Sequence, residues 1–235
     1  MKFSLKYILL SVFILITTIS KAQNISQNSG WAASINSFKI SEKTGIHFDV
    51  QFRSADNLDY LRNVLIRPGF TYFFDKTKNA TVGYAFILTN QGNSFNNDLI
   101  EHRIWEQFIY NIPIVKNVQL TNRLRLEQRF IEQNIDDVFS QRIRYFFRSV
   151  VPLQKNENNF TKGAFLALQN EIFINLQNKE KLNNHSFDQN RAYLAAGYRL
   201  NTKIDFELGY LNQYSKGTAN STTNNIFQVA VYSRF

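Results

Sequence analysis

From residue 46 to 53 the chain reads Ile-His-Phe-Asp-Val-Gln-Phe-Arg, with an apolar side chain at every even position and a polar one at every odd position. Only an extended strand, whose successive side chains point to opposite faces, sorts such a pattern cleanly onto two sides. The alternation returns in Ile66, Pro68, Phe70, Tyr72 and Phe74, in Ala80, Val82, Tyr84, Phe86 and Leu88, and in segments at about 118–130, 140–151, 160–175, 189–200, 203–214 and 226–235. Each is long enough to cross an outer membrane as a tilted strand, which takes about 9–11 residues, whereas soluble strands usually run to about 5–6. The segment 123–130 is the most telling: Arg123, Arg125, Glu127 and Arg129 fall on one face, Leu124, Leu126 and Phe130 on the other. A soluble sandwich could turn such charges to water. Segment length, and Tyr and Phe towards the ends of the apolar faces, favour a membrane barrel with aromatic girdles.

The first 22 residues are set apart from this pattern. Lys2 and Lys6 make a basic start, an apolar run covers 7–19, and Ser20-Lys21-Ala22 offers small residues two apart. These are the three parts of a secretory signal peptide, so residues 1–22 are expected to be removed and 23–235 to form one barrel domain. Losing Lys2, Lys6 and Lys21 takes the formal charge from +9 to +6. The remaining basic residues alternate with apolar ones and lie near Glu and Asp, which argues against a nucleic-acid stripe. With no cysteine, disulfides, thiol catalysis and thiolate metal sites are excluded. The chain holds 22 Phe and 11 Tyr at a mean hydropathy of −0.30; the two are compatible when the aromatics share one face.

Connections alternate in length. Those at 75–79, 113–117 and 201–202 are short, while 90–98, 132–138, 176–188 and 215–224 are longer, polar and rich in Asn, Ser and Gly. Outer-membrane barrels keep short turns at the periplasm and long loops outside, which places Phe235 at the periplasm. There its terminal aromatic ring fits the signal read by barrel-assembly machinery. Strand-like segments number about eleven, including a weak first one at 31–40. Because single-chain bacterial barrels have an even count, the expectation is ten or twelve. The predicted fold is thus all-β, an antiparallel up-and-down transmembrane barrel of about 10–12 strands in the outer membrane of a Gram-negative cell.

Several stretches in order then become informative: Leu65-Ile66-Arg67-Pro68-Gly69-Phe70, Val82-Gly83-Tyr84-Ala85, Glu101 to Gln107, Arg123 to Phe130, Asn170-Glu171, Phe187 to Arg191 and Leu208 to Gln213. Together they resemble an uncharacterised bacterial family, domain of unknown function 2490, over nearly the whole mature chain. The resemblance implies an outer-membrane-type barrel. It implies no activity, and no catalytic residue carries over.

Strand parity assigns two polar sets. Glu101, Arg103, Arg123, Arg125, Glu127, Arg129, Arg142, Arg144, Glu171, Arg191, Asp205 and Glu207 should face the lumen, either as an ion-paired structural plug or as a basic path for a small anion or solute. His102, Gln128, Asn170, Asn190 and Asn212 should face lipid and lipopolysaccharide, mostly towards the outer ends of their strands. The second set leaves open a lipid-acting enzyme, a phospholipase or lipopolysaccharide-modifying protein, with a site near His102. Such a site needs a serine within reach of the imidazole, yet Ser94 and Ser186 lie in loops. Glu106 shares the outward parity at greater depth, so a β-bulge near Trp105 is expected to reverse the phase there. His47, His102 and His185 are too scattered for a metal site; loop acids Asp56 and Asp59 leave calcium open. No cofactor and no nucleic-acid partner are expected.

Overall fold

The computed structural model describes residues 24–92, 98–133, 136–154 and 159–235; the expected signal peptide lies outside them. Eleven strands occupy most of this length: β1 Asn24–Lys39, β2 Thr44–Ser54, β3 Leu61–Phe73, β4 Lys78–Thr89, β5 Leu99–Val115, β6 Val118–Ile131, β7 Val138–Pro152, β8 Gly163–Gln177, β9 Phe187–Asn201, β10 Ile204–Lys216 and β11 Ser221–Arg234. Each pairs antiparallel with the next in sequence, and β1 closes onto β11. Closure leaves no free sheet edge.

Among the described residues the count is eleven, neither ten nor twelve. With an odd number of alternating strands the first and last run the same way, so the closing pair is parallel. Its register is continuous from Asn24 opposite Ser221 to Ser37 opposite Arg234. The weak first segment is therefore a full wall strand. Its signal is faint because the outward positions along its middle, Gly30, Ala32, Ser34 and Asn36, are small or polar, with Phe38 alone among the even positions from 30 to 38 carrying a large apolar ring.

Parity sorts the remaining side chains as the alternation requires. On β2, Ile46, Phe48 and Phe52 are exposed on the outer wall while Asp49 is buried inside. Aromatic residues inside lie over glycines of the neighbouring strand. A methyl group added at Gly83 would sit 2.2 Å from Cζ2 of Trp105 and 2.6 Å from the Pro68 carbonyl oxygen; one added at Gly197 would sit 2.3 Å from Cζ of Phe165. Each of these glycines precedes a tyrosine, Tyr84 or Tyr198, that is exposed on the outer wall. The Gly-Tyr pair thus presents a bare backbone inward and a ring outward. Two apolar clusters inside, Leu65–Ala85–Ile87–Trp105 and a second around Trp31, Phe165, Tyr193, Leu211 and Ile226, give the lumen an apolar skeleton between its charges.

One end carries the short turns at 40–43, 74–77, 116–117 and 202–203. In the second of these, Oδ1 of Asp75 accepts from Thr77 Oγ1 at 2.6 Å, Thr77 N at 2.7 Å and Lys78 N at 2.9 Å. The Thr77 hydroxyl foremost, with these amides, holds the Asp75 carboxyl below its ordinary range. The β7–β8 connection at this end, 153–162, breaks the short-turn rule. Phe160 at its C-terminal side tucks into the barrel mouth, edge-on to Phe165, and its carbonyl accepts from Arg199 Nη1 at 2.9 Å. Phe235 also lies here: its amide donates to Ser37 O at 2.8 Å and its ring stacks on Phe38 at 5.6 Å.

Candidate functional site

The centre of the lumen is built by strands whose inward positions are charged at every second residue. Register sets Glu127 of β6 opposite Arg142 of β7 and Arg125 opposite Arg144; on the other side Arg103 of β5 faces Arg129. Like charges placed directly opposite are destabilising, and Glu101 resolves the Arg103–Arg129 case by taking both Nε atoms at 2.6 Å. Glu127 is the hub. Its Oε2 accepts from Arg142 Nη2 at 2.7 Å and Nε at 3.0 Å, its Oε1 from Arg144 Nη1 at 2.5 Å, and Arg103 approaches at 3.7 Å. Glu171 accepts from Arg123 Nη2 at 2.6 Å and Arg144 Nη2 at 2.7 Å. Nearer the short-turn end, Glu207 pairs with Arg148, and Asp205 bridges Arg199 and Arg234.

Every residue assigned to the lumen by parity is thus inside the barrel. Further charged residues line the lumen beyond that set. Asp49 holds Arg67 at 2.7 Å and His47 at 3.2 Å; these and Arg53 stand at inward positions of β2 and β3, so the same alternation carried them. Asp188 carries the wrong parity. A register shift between Phe173 and Ile174 of β8, opposite Gln189 and Phe187, leaves Asp188 unpaired in the ladder and lets its carboxylate reach Arg142 Nη1 at 2.6 Å.

Three lumenal arginines have no carboxylate within ion-pair distance among the described residues. Arg53 donates to Gln51 at 2.6 Å and its buried Nε has no acceptor. Arg125 donates twice to Gln107, at 3.1 and 2.6 Å. Arg191 donates to Gln189 and Gln213, at 3.0 and 3.1 Å. Each guanidinium also lies over an aromatic ring: Arg53 and Arg191 over Trp31 at 3.9 and 5.0 Å, Arg125 over Trp105 at 4.4 Å. A neutral amide and a ring face orient a cation without neutralising it.

Three cavities follow the barrel axis. An upper one of about 490 Å³, towards the long loops, is lined by Trp31, Arg53, Arg67, Arg144 and Arg191 among others. A middle one of about 130 Å³ shares these five residues and adds Arg123, Arg125 and Arg148. A lower one of about 850 Å³ shares Arg148 and Tyr232 with the middle one. Arginine stands at each junction.

The second polar set lies on the outer wall. His102 Nδ1 and the Tyr84 hydroxyl are 2.5 Å apart, Asn170 and Asn190 exchange amide hydrogen bonds at 2.9 and 3.1 Å, and Asn212 donates to Asn225 at 3.3 Å. Gln128 donates to Glu106 at 3.2 Å. The expected bulge at Trp105 is absent: register runs unbroken through it on both sides, so Trp105 points in and Glu106 out. Overhanging glycines at 69 and 83 accommodate the large indole without any reversal of phase. No described serine partners His102. Ser186 instead accepts from Lys179 Nζ at 3.2 Å, and Ser94 lies outside the described residues. The lipid-acting alternative therefore has no support in the geometry. No group of His, Asp and Glu among the described residues could hold a metal ion.

A family model described as protein of unknown function, DUF2490, matches residues 28–224, from inside β1 to inside β11. The chain belongs to the DUF2490 family. An uncharacterised protein of Methylorubrum extorquens is 26% identical over 171 residues, covering 73% of this chain and 72% of its own. No solved structure matches. The family match spans the ion-paired strands β5–β8 in full, together with Arg53 and Arg191.

Proposed function

We propose that this DUF2490 barrel sits in the outer membrane and passes small anions through its arginine-lined lumen. Placement in a membrane is supported by strands of 11–17 residues and by an outer wall of exposed Phe, Leu, Ile, Val and Tyr, which in water would be an apolar surface far beyond what soluble proteins expose. In that setting the wall faces lipid and lipopolysaccharide, the long loops face outward, and Phe235 at the opposite end is the contact for assembly machinery.

The observation that carries the anion reading is the trio Arg53, Arg125 and Arg191, cations inside a barrel with glutamines rather than carboxylates in direct contact. Enclosed charge is costly unless paired, so the missing counter-charge comes from solution. The chain of cavities provides places for it. Elsewhere the carboxylates neutralise the wall, and the ion-paired layer around Glu127 narrows the path to its middle cavity.

Planar-bilayer recording under a salt gradient tests this directly. Wild-type protein is expected to give small steps with a reversal potential of anion-selective sign, and Arg125→Gln to reduce that selectivity. Absence of any step in both proteins would leave a sealed structural barrel. Fractionation tests the location: a chain found with soluble protein, with gel mobility unchanged by heating, contradicts the membrane assignment.

A further inference from the structure

We propose that the upper cavity is a binding site for a phosphorylated sugar, its phosphate seated on Arg53 and Arg191. The inference rests on the anion reading, because it requires the lumen to be reached from the long-loop end, and it goes further by assigning a ligand class to one place.

Its floor is the cationic pair. Arg53 and Arg191 come from strands on either side of the β1–β11 seam, β2 and β9, and converge on Trp31 of β1. Two guanidiniums held over one ring repel each other, and glutamines supply them only neutral acceptors. Arg53 keeps one buried N–H with no acceptor at all. A phosphate presents three oxygens and matches two planar forks at once. The single carboxylate among the described residues that line the cavity, Glu101, is already occupied by Arg103 and Arg129.

Above the floor the wall changes chemistry. Gln27, Asn63, Ser215 and Asn224 line it, and such amides and hydroxyls both donate and accept, as sugar hydroxyls require. The volume, about 490 Å³, lies within the range of small-molecule sites, roughly 300–1,000 Å³. A bare phosphate would leave most of it to water. A phosphate attached to a polyhydroxylated ring fills both zones.

Calorimetric titration of the full chain, folded in detergent, with glucose 6-phosphate, glucose and inorganic phosphate tests the assignment. Glucose 6-phosphate is expected to bind at least about tenfold more tightly than either of the others, because each of them satisfies only one zone. Arg53→Gln and Arg191→Gln, made separately and checked for heat-modifiable mobility, should each weaken it about tenfold or more while leaving glucose unaffected. Equal affinity for glucose 6-phosphate and phosphate would overturn the sugar assignment; equal affinity for glucose, or no binding at millimolar ligand, would overturn the site. The wild-type ligand series decides this even where a variant does not fold. A barrel that binds but gives no conductance would sink the permeation reading and keep this one, and a conducting barrel with no preference for the phosphorylated sugar would do the reverse.

Discussion

Replacing Glu127 by Gln removes one negative charge from the most connected point of the lumen at almost no change in volume. Glu127 takes three short hydrogen bonds from Arg142 and Arg144 and is nearly inaccessible. Breaking a buried ion pair by removing one partner typically costs about 3–5 kcal/mol. Here Arg142 retains Asp188 and Arg144 retains Glu171, so the lower end, about 3 kcal/mol, is expected. With a urea dependence of about 3 kcal/mol per molar, the unfolding midpoint of the barrel in detergent should fall by about 1 M. Glu42→Gln, an exposed residue of the 40–43 turn, serves as control and should stay within about 0.5 kcal/mol of wild type. Arg144→Met combined with Glu127→Gln should be less destabilised than the two single variants added together, with coupling of about 1–3 kcal/mol. A Glu127→Gln midpoint no lower than that of Glu42→Gln, or strict additivity in the cycle, would refute the hub.

Gly83→Ala should cost more than about 2 kcal/mol, because the new methyl meets both the Trp105 ring and a backbone carbonyl; Gly83→Ala combined with Trp105→Leu, measured the same way, should recover part of the loss. Glu106→Leu should stabilise the barrel in lipid by about 1–2 kcal/mol, since a charge on a lipid-facing wall is unfavourable; a destabilised variant in vesicle refolding would argue against lipid contact at that face. Deleting Phe235 removes its backbone bonds to β1 and its stack on Phe38, and should lower the yield of the heat-modifiable form in cells; unchanged yield would detach the terminal residue from assembly.

Much of this architecture was legible because a strand has a period of two. One alternation read along Ile46–Arg53 or Arg123–Phe130 assigns a face to each residue, and the structure keeps that phase across nearly every strand. What escaped the reading depends on neighbours that alternation cannot see. The parallel seam is a property of closure, not of β1 itself, whose outward residues are small. The bulge expected near Trp105 from the outward parity of Glu106 does not form, and the glycines that seat the indole inside, Gly69 and Gly83, lie on other strands. Asp188 turns inward only through a local register shift. Arg53 was visible as an inward residue of β2; that it and Arg191 meet at Trp31 depends on strands far apart in sequence, so the cationic floor emerged only from the fold.

The β1–β11 pairing also bears on how the molecule is made. Asn24 bonds to Thr223, 199 positions along the chain, so the last ladder to form joins the two most distant stretches, and contacts of such long separation form slowly. Until β11 has emerged, every earlier hairpin can zip to its neighbour, but β1 waits as an open edge able to pair with the wrong strand. Its closing partner must arrive in the same direction as itself, which no hairpin can deliver. The apolar face of β11 and the ring of Phe235 just beyond it close this last edge, and a sheet that has yet to close it carries the pairing hazard of any open strand.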